Sequence, residues 1–231
     1  MPIPKTNAYI DRVSTQHRVY NILKKWIIDG TLMPGEFISD SEIAKHFSVS
    51  RTPVREAILL LSQQDFVQIM PSKGTKIIET SQESAHSIYE AISCLSAEIA
   101  ILAVKKHKPE DIKHLTELNK SFFDAIVSGK YSKIIEIDSA FHNYILKIAN
   151  NPFISNSWNQ ILPHATRYEM IYFNSGNNKE LSVSEHTNII NAIESGNEKE
   201  AASYSRKNWI DFFNKRLKPQ LENISPKIKR I

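Results

Sequence analysis

Two arginines and two hydroxyl residues near the middle of the N-terminal region have the types and spacing to contact DNA. Arg51 and Arg55 lie four positions apart, which places both guanidinium groups on one face of a helix. An arginine fork can donate two hydrogen bonds to guanine, whereas Ser50 and Thr52 suit phosphate oxygens or a thymine methyl group. We therefore expect these four residues to contact DNA. The alternative is that they form an ordinary solvated helix face.

Three helices are predicted around these residues from apolar positions that repeat every three or four residues. The first helix ends at Gly30, and its apolar stripe consists of Val19, Ile22, Leu23, Trp26 and Ile27. The second begins at Ser39, which is predicted to form a capping box with Glu42. The third begins after Ser50, and its buried stripe consists of Val54, Ile58 and Leu61.

A β-hairpin with a basic tip is predicted after the third helix, from apolar runs at 66–70 and 75–78. Two helices, a short turn, a third helix and a hairpin form the order of a winged helix-turn-helix, whose third helix enters the major groove. We expect Lys73 and Gly74 in the wing to reach the adjacent minor groove or backbone. Residues 1–78 carry ten Lys and Arg against seven Asp and Glu, which suits a polyanionic partner.

Beyond Glu79 the apolar spacing predicts helices only. The predicted segments are 88–104, 112–126, 134–148, 153–173, 183–193 and 201–217. Breaks are predicted at 108–109, Gly129, 150–152, 174–178 and Gly196. The predicted fold is mainly α, with a winged helix-turn-helix domain at 1–78 and an all-α antiparallel bundle at 79–231.

Asp138 and His142 lie four positions apart in the third of these C-terminal helices, a spacing that fits two ligands of one metal ion. His186 follows in another helix. A surface ion pair, or a buried histidine held by a carboxylate, is the alternative to a metal site. A catalytic metal triad is a further alternative, but we find no acid/base partner, nucleophile motif or phosphate loop to accompany it, so we expect no enzyme.

The block Val49–Ala57, together with Pro34-Gly35, Ile43-Ala44, Phe66-Val67 and Pro71-x-x-Gly74, resembles the DNA-binding domain of the GntR family of bacterial regulators. The resemblance implies that Arg51, Thr52, Arg55 and the wing glycine contact operator DNA. It also implies a transcription regulator, most commonly a repressor.

The pair Asp138-x-x-x-His142, with Glu185-His186 and the helical pattern up to Gly196, resembles the FCD effector domain of the FadR subfamily of GntR regulators. The resemblance implies that the positions of Asp138, His142, His186 and Asn208 surround a divalent zinc, nickel or manganese ion that helps to bind a carboxylate effector. In this type of fold Arg167 and Tyr168 face the same pocket, so we expect them to bind the effector.

Five residues depart from the patterns of these relatives. Asn208 replaces a histidine ligand, and an amide oxygen suits harder ions than zinc or nickel. Ile92 and Ser96 replace an arginine and a glutamate near the pocket. Ser41 stands where some members have a DNA-contacting arginine, and Asp65 replaces a glycine before the wing, which we expect to be a tolerated turn substitution.

The remaining features predict a cytoplasmic protein that does not enter the membrane. Cys94 has no partner for an internal disulfide and is expected to fill the core. No apolar run approaches the roughly 20 residues that span a bilayer, and residues 1–13 lack the apolar core of a signal peptide. The expected protein is a homodimer that binds two-fold symmetric operator DNA under the control of a small effector. A non-specific DNA-coating protein is a remaining alternative.

Overall fold

The computed structural model describes residues 14–129, 131–173 and 180–222. The chain divides between Glu79 and Thr80 into two compact units, each with its own hydrophobic core. The break predicted at 174–178 lies outside the described residues, because 174–179 are not among them.

The first unit contains three helices and a small sheet. Its elements are α1 (Thr15–Ile28), β1 (Phe37–Ile38), α2 (Asp40–Phe47), α3 (Arg51–Gln63), β2 (Val67–Met70) and β3 (Gly74–Ile77). The strands are antiparallel in the order β1-β3-β2, and Val67 pairs with Ile77 in the hairpin. The hairpin is therefore confirmed, but β1 was not predicted, because a strand of two residues has no alternation to recognise.

The predicted helix starts in this unit are correct, although the bonds at one start differ. Ser39 and Ser50 are the N-cap residues of α2 and α3. The capping box predicted for Ser39 and Glu42 is wrong, because the Ser39 side chain makes no cap hydrogen bond and its hydroxyl lies 2.7 Å from that of Ser41. Ile22 belongs to the predicted apolar stripe of α1, but it is 37% exposed.

The second unit is a helical bundle, as predicted. Its helices are α4 (Gln82–Lys106), α5 (Pro109–Ser128), α6 (Tyr131–Ala149), α7 (Pro152–Phe173), α8 (Glu180–Glu194) and α9 (Glu198–Asp211), and α9 continues into a π-helical segment, Phe212–Leu217. The helix α4 packs against α6, α7, α8 and α9. Tyr89 of α4 stacks on Phe212 and Phe213, so the π-helical segment closes one part of this core.

Two expectations about α4 are wrong. Among the described residues, α4 is long and apolar enough to cross a membrane, although we expected no segment of that kind. Its apolar side chains, including Tyr89, Ile92 and Ile99, lie in the core of the bundle, and this packing accounts for its composition. Cys94 was expected to fill the core but is exposed, and its Sγ accepts a hydrogen bond from Arg206.

Candidate functional site

The residues predicted to contact DNA lie exposed at the start of α3 and in the wing. Arg51 begins α3, and the side chains of Arg51 and Arg55 are 54% and 63% exposed because the apolar stripe of α3 faces the core. Ser50 and Thr52 are exposed beside them. In the wing, Lys73 and Gly74 are also exposed, as are the neighbouring turn residues.

Asp40 holds both α3 arginines together. Its Oδ1 accepts a 2.8 Å hydrogen bond from Arg51 Nη2, and its Oδ2 accepts a 2.6 Å bond from Arg55 Nε. These bonds to Arg55 and Arg51 lower the pKa of Asp40 below its ordinary value, so the carboxylate stays ionised at neutral pH. Asp40 was not predicted from the sequence. A carboxylate in the first turn of α2 is also typical of ordinary helices, so its type and position alone do not single it out.

The backbone explains the departure at Asp65. This residue has φ of +55°, in the left-handed region, directly before Phe66 and strand β2. Glycine adopts this conformation without steric cost, and aspartate tolerates it better than most other residues. The turn therefore retains its shape without glycine, at some cost in stability.

Three residues that we predicted as metal ligands converge in the helical unit. Asp138 and His142 of α6 and His186 of α8 each offer a ligand atom, and these atoms lie within 4.8 Å of one another. His142 Nε2 lies 3.8 Å from Asp138 Oδ2, and His186 Nε2 lies 3.3 Å from Asp138 Oδ1. The ring of His186 stacks on Phe141 at 4.0 Å, which fixes its orientation.

The state of the two histidines fits a divalent metal ion. His186 is fully buried, and within the described part of the chain neither of its ring nitrogens makes a hydrogen bond. Buried polar atoms in proteins are almost always hydrogen-bonded, so an orphaned imidazole beside a carboxylate indicates a missing partner. Burial lowers the pKa of His142 to about 4, which leaves its imidazole neutral and able to bind a metal at neutral pH.

Asn208 lies at the same site, as the resemblance to the FCD domain implied. It lines a small cavity together with Asp138 and His142. Its Nδ2 donates a 3.1 Å hydrogen bond to Glu185, so its Oδ1 is the atom left for an ion. The cavity has a volume of about 20 Å³, which is enough for one water molecule or one ion but not for a metabolite.

Two charged residues of this cavity were missed by the sequence analysis, namely Glu169 of α7 and Arg216 of the π-helical segment. Glu169 follows the predicted pair Arg167 and Tyr168 directly. Arg216 forms an ion pair with Glu185. No periodic signal could have found either residue, because Glu169 occupies an apolar face and Arg216 reaches the cavity through a π-helical segment.

The pKa values of the two cavity carboxylates, Glu169 and Asp138, shift in opposite directions. Burial, reinforced by the charge of Asp138, raises the pKa of Glu169 well above its ordinary value. Burial would also raise the pKa of Asp138, but the close approach of His186 Nε2, the second imidazole of His142 and the charge of Arg216 outweigh burial and lower it. Asp138 is therefore the carboxylate that is ionised first.

The residues predicted to bind the effector are buried but do not line this cavity. The hydroxyl of Tyr168 accepts a hydrogen bond from Ser81 N at 3.0 Å and donates to Ser81 O at 2.9 Å. Arg167 is buried, and burial lowers its pKa. Their role in effector binding stays a prediction.

Ile92 and Ser96, which also differ from the pattern of the relatives, lie buried in the core of the helical unit. Ile92 is fully buried among apolar side chains. The hydroxyl of Ser96 donates to the backbone oxygens of Ser93 and Ser205. Neither side chain therefore supplies the charge that an arginine or a glutamate would provide at that position.

Models of two protein families match the chain. The model described as bacterial regulatory proteins, gntR family, matches residues 15–77. The model described as FCD domain matches residues 87–208, which is more than half of the chain. The chain belongs to the GntR family. This GntR regulator has an FCD C-terminal domain, as in the FadR-like subfamily, and the resemblance noted in the sequence is confirmed.

Individual relatives of this GntR protein are also regulators. It is 28% identical over 186 residues to the uncharacterized HTH-type transcriptional regulator YdhC of Bacillus subtilis, covering 79% of this chain and 82% of YdhC. It is 24% identical over 180 residues to the HTH-type transcriptional repressor RspR of Escherichia coli, covering 77% of this chain and 78% of RspR. The protein is thus a DNA-binding transcription regulator and not an enzyme.

A solved structure supports the fold. E. coli McbR/YncC superposes with a TM-score of 0.75 and 22% sequence identity, covering 87% of this chain and 95% of McbR. At this identity the similarity shows the fold alone. It confirms a mainly helical protein with an N-terminal winged helix-turn-helix and a C-terminal helical bundle.

Proposed function

We propose that this GntR protein is a repressor that reads operator DNA through α3 and the wing. The contacting residues in this proposal are Ser50, Arg51, Thr52, Arg55, Lys73 and Gly74. The observation that carries it is the carboxylate of Asp40, which holds Arg51 and Arg55 side by side on an exposed helix face. Arginines fixed in this way can each donate to the edge of a guanine. In this proposal residues 1–78 bind DNA, and residues 79–231 bind the effector and form the dimer.

The proposed assembly is a homodimer that acts in the cytoplasm, where its operator DNA lies. One chain carries one recognition helix, whereas operators read by this motif contain two half-sites related by a two-fold axis. A dimer with the same symmetry places one α3 in each half-site.

We further propose that a small carboxylate-containing metabolite controls operator affinity by binding in the helical unit beside a divalent metal ion. Asp138, His142 and His186 would hold the ion, with Asn208 as a weaker oxygen ligand. The ion would supply positive charge for an oxygen of the metabolite. Zinc, nickel and manganese are the candidate ions, and two oxygen ligands suit manganese better than a set with three imidazoles would.

Arg216 is the residue that can supply a second positive charge to the metabolite. It lines the cavity, and its guanidinium contacts Ser182 and Glu185. Arginine recognises carboxylates through paired hydrogen bonds. At present Nη2 of Arg216 donates to Glu185 and Nη1 donates to Ser182. A metabolite needs more room than the present 20 Å³, so we propose that it displaces Glu185 and draws Arg216 toward its own carboxylate. The earlier candidates Arg167 and Tyr168 would then adjust around it.

Operator binding in the presence of metal and carboxylic acids tests this proposal. Chelator-treated protein is titrated onto a fluorescent operator duplex, with and without MnCl₂ and each member of a panel of small carboxylic acids. We expect one acid to weaken operator binding by about 5- to 150-fold, the usual range of allosteric coupling, and only when metal is present. The response should be lost in Arg216→Gln and kept in Arg206→Gln, a matched substitution of an exposed arginine on α9.

Two results would contradict the proposal. Equal affinity for operator and scrambled duplexes would mean a DNA-coating protein. Operator binding that no acid alters would remove the proposed sensing function while leaving operator reading intact.

A further inference from the structure

We propose that Glu169 supplies a second carboxylate to the divalent ion held by Asp138, His142 and His186, and that it shifts the site toward harder ions such as Mn²⁺. This inference rests on the metal site in the proposed function and adds a ligand that was not predicted from the sequence. Glu169 lies on α7, whereas the other three residues lie on α6 and α8. The ion would therefore connect three helices.

The first argument is that Glu169 is a buried carboxyl group at the cavity. Its residue is only 5% exposed, yet it lines the same cavity as Asp138 and His142. Burying a carboxylate is costly unless a positive charge or hydrogen bonds compensate it, so a cation in the cavity would offset this cost.

The second argument is the balance of charge around the cavity. The acidic side chains are Asp138, Glu169 and, paired with Arg216, Glu185. The charges of Arg216 and Glu185 cancel, which leaves two carboxylates facing a cavity with room for one ion. A single divalent cation neutralises both.

The third argument is chemical compensation for Asn208. An amide oxygen binds soft or borderline ions less well than the imidazole it replaces, whereas carboxylates bind hard ions well. Glu169 lies outside the group of donor atoms that are all within 4.8 Å, so its side chain must rotate to reach an ion. The three torsions of a glutamate side chain allow this movement. Two carboxylates, one amide oxygen and two imidazoles then form an oxygen-rich site.

Metal titration of chelator-treated protein tests this inference directly. Mn²⁺ binding is counted from the loss of the free-ion signal in electron paramagnetic resonance, and Zn²⁺ affinity is measured by competition with a chromophoric chelator. The variants are Glu169→Gln, Asp138→Asn and the matched control Glu194→Gln, which changes an exposed glutamate on α8. We expect one Mn²⁺ per chain in the unmodified protein and in Glu194→Gln.

In Glu169→Gln we expect Mn²⁺ affinity to fall by at least about 10- to 100-fold. This is the usual loss when a residue that hydrogen-bonds a metal ligand is removed, and a direct ligand should matter at least as much. Zn²⁺ affinity should fall less, so the ratio of Mn²⁺ to Zn²⁺ affinity decreases. The melting temperature of the metal-free variant should equal or exceed that of the unmodified protein, because a buried carboxyl group has been removed. The increase in melting temperature on adding MnCl₂ should be smaller.

Three outcomes overturn the inference, and they separate it from the proposed function. Unchanged Mn²⁺ and Zn²⁺ affinities in Glu169→Gln overturn it and leave the Asp138 site intact. A metal-free Glu169→Gln that melts well below the unmodified protein assigns Glu169 a structural role instead. Failure of the unmodified protein to bind either ion, or binding that Asp138→Asn does not alter, removes the metal site itself.

Discussion

Asp40 on α2 accepts a 2.6 Å hydrogen bond from Nε of Arg55 on α3. Because Nε is occupied, the two Nη amines of Arg55 are left to donate to one guanine. We predict that Asp40→Asn weakens discrimination between operator and scrambled duplexes by roughly tenfold, within the ~1–3 kcal/mol of a bidentate contact. Binding to the scrambled duplex should become tighter, because a negative charge near the phosphates is lost. Affinities for both duplexes at two salt concentrations check this, and unchanged discrimination would contradict it.

The ion pair of Asp40 also predicts a dependence of stability on pH. Its folded-state pKa is lowered below 3.8 by Arg55 and Arg51, so its contribution is present above 3.8 and is lost as the pH falls through the folded-state value. Both arginines are more than half exposed, which limits the contribution to about 1 kcal/mol or less. Urea unfolding of Asp40→Asn and the unmodified protein should therefore differ at pH 6 and converge toward pH 3. A difference that does not change with pH would exclude the ion pair as its cause.

The left-handed backbone at Asp65 predicts a stabilising substitution. Glycine adopts φ of +55° without steric strain, so Asp65→Gly should stabilise the winged unit by up to about 1 kcal/mol, less the extra entropy of glycine in the unfolded chain. The matched control is Asp29→Gly, at a residue with φ of −82°, which should destabilise or have no effect. Urea unfolding measures both variants. If Asp65→Gly instead lowers the free energy of unfolding, the aspartate side chain stabilises the unit by more than the strain of its left-handed backbone destabilises it.

Restoring the imidazole at Asn208 should change the metal preference of the helical unit. We predict that Asn208→His binds Zn²⁺ at least about tenfold more tightly, because imidazole is a better ligand than an amide oxygen for this ion. Mn²⁺ affinity should change less. Competition with a chromophoric chelator measures Zn²⁺, and Zn²⁺ affinity that remains the same would show that residue 208 does not face the ion.

Much of the fold follows from apolar spacing, because most of the helices bury an apolar stripe and the breaks predicted beyond Glu79 each contain Gly, Pro or Asn. The same logic placed Arg51 and Arg55 on the exposed face of α3. It failed at β1, which is too short to show a period, and at Cys94, which lies on the exposed side of an apolar helix. The pairing of β1 with β3 and the exposure of Cys94 both depend on tertiary packing, which the spacing of apolar residues does not reveal.

The candidate metal site was predictable only where its residues share one helix or match a family pattern. The spacing of Asp138 and His142 places them together on α6, and the resemblance supplied His186 and Asn208. Glu169 and Arg216 come from α7 and from the π-helical segment, and only the packing of these elements brings them to the cavity. Long-range side-chain partners such as Glu185 for Arg216 are likewise set by packing.

Selection from a randomised duplex library tests the central claim of sequence-specific reading most directly. Duplexes bound by the unmodified protein and by Arg55→Ala are sequenced, with Lys105→Ala as a control that removes an exposed positive charge from α4. We predict that the unmodified protein and the control enrich one two-fold symmetric motif, and that Arg55→Ala loses preference for a guanine at one position in each half-site. Enrichment of no motif by the unmodified protein, or an identical motif in Arg55→Ala, would contradict this account.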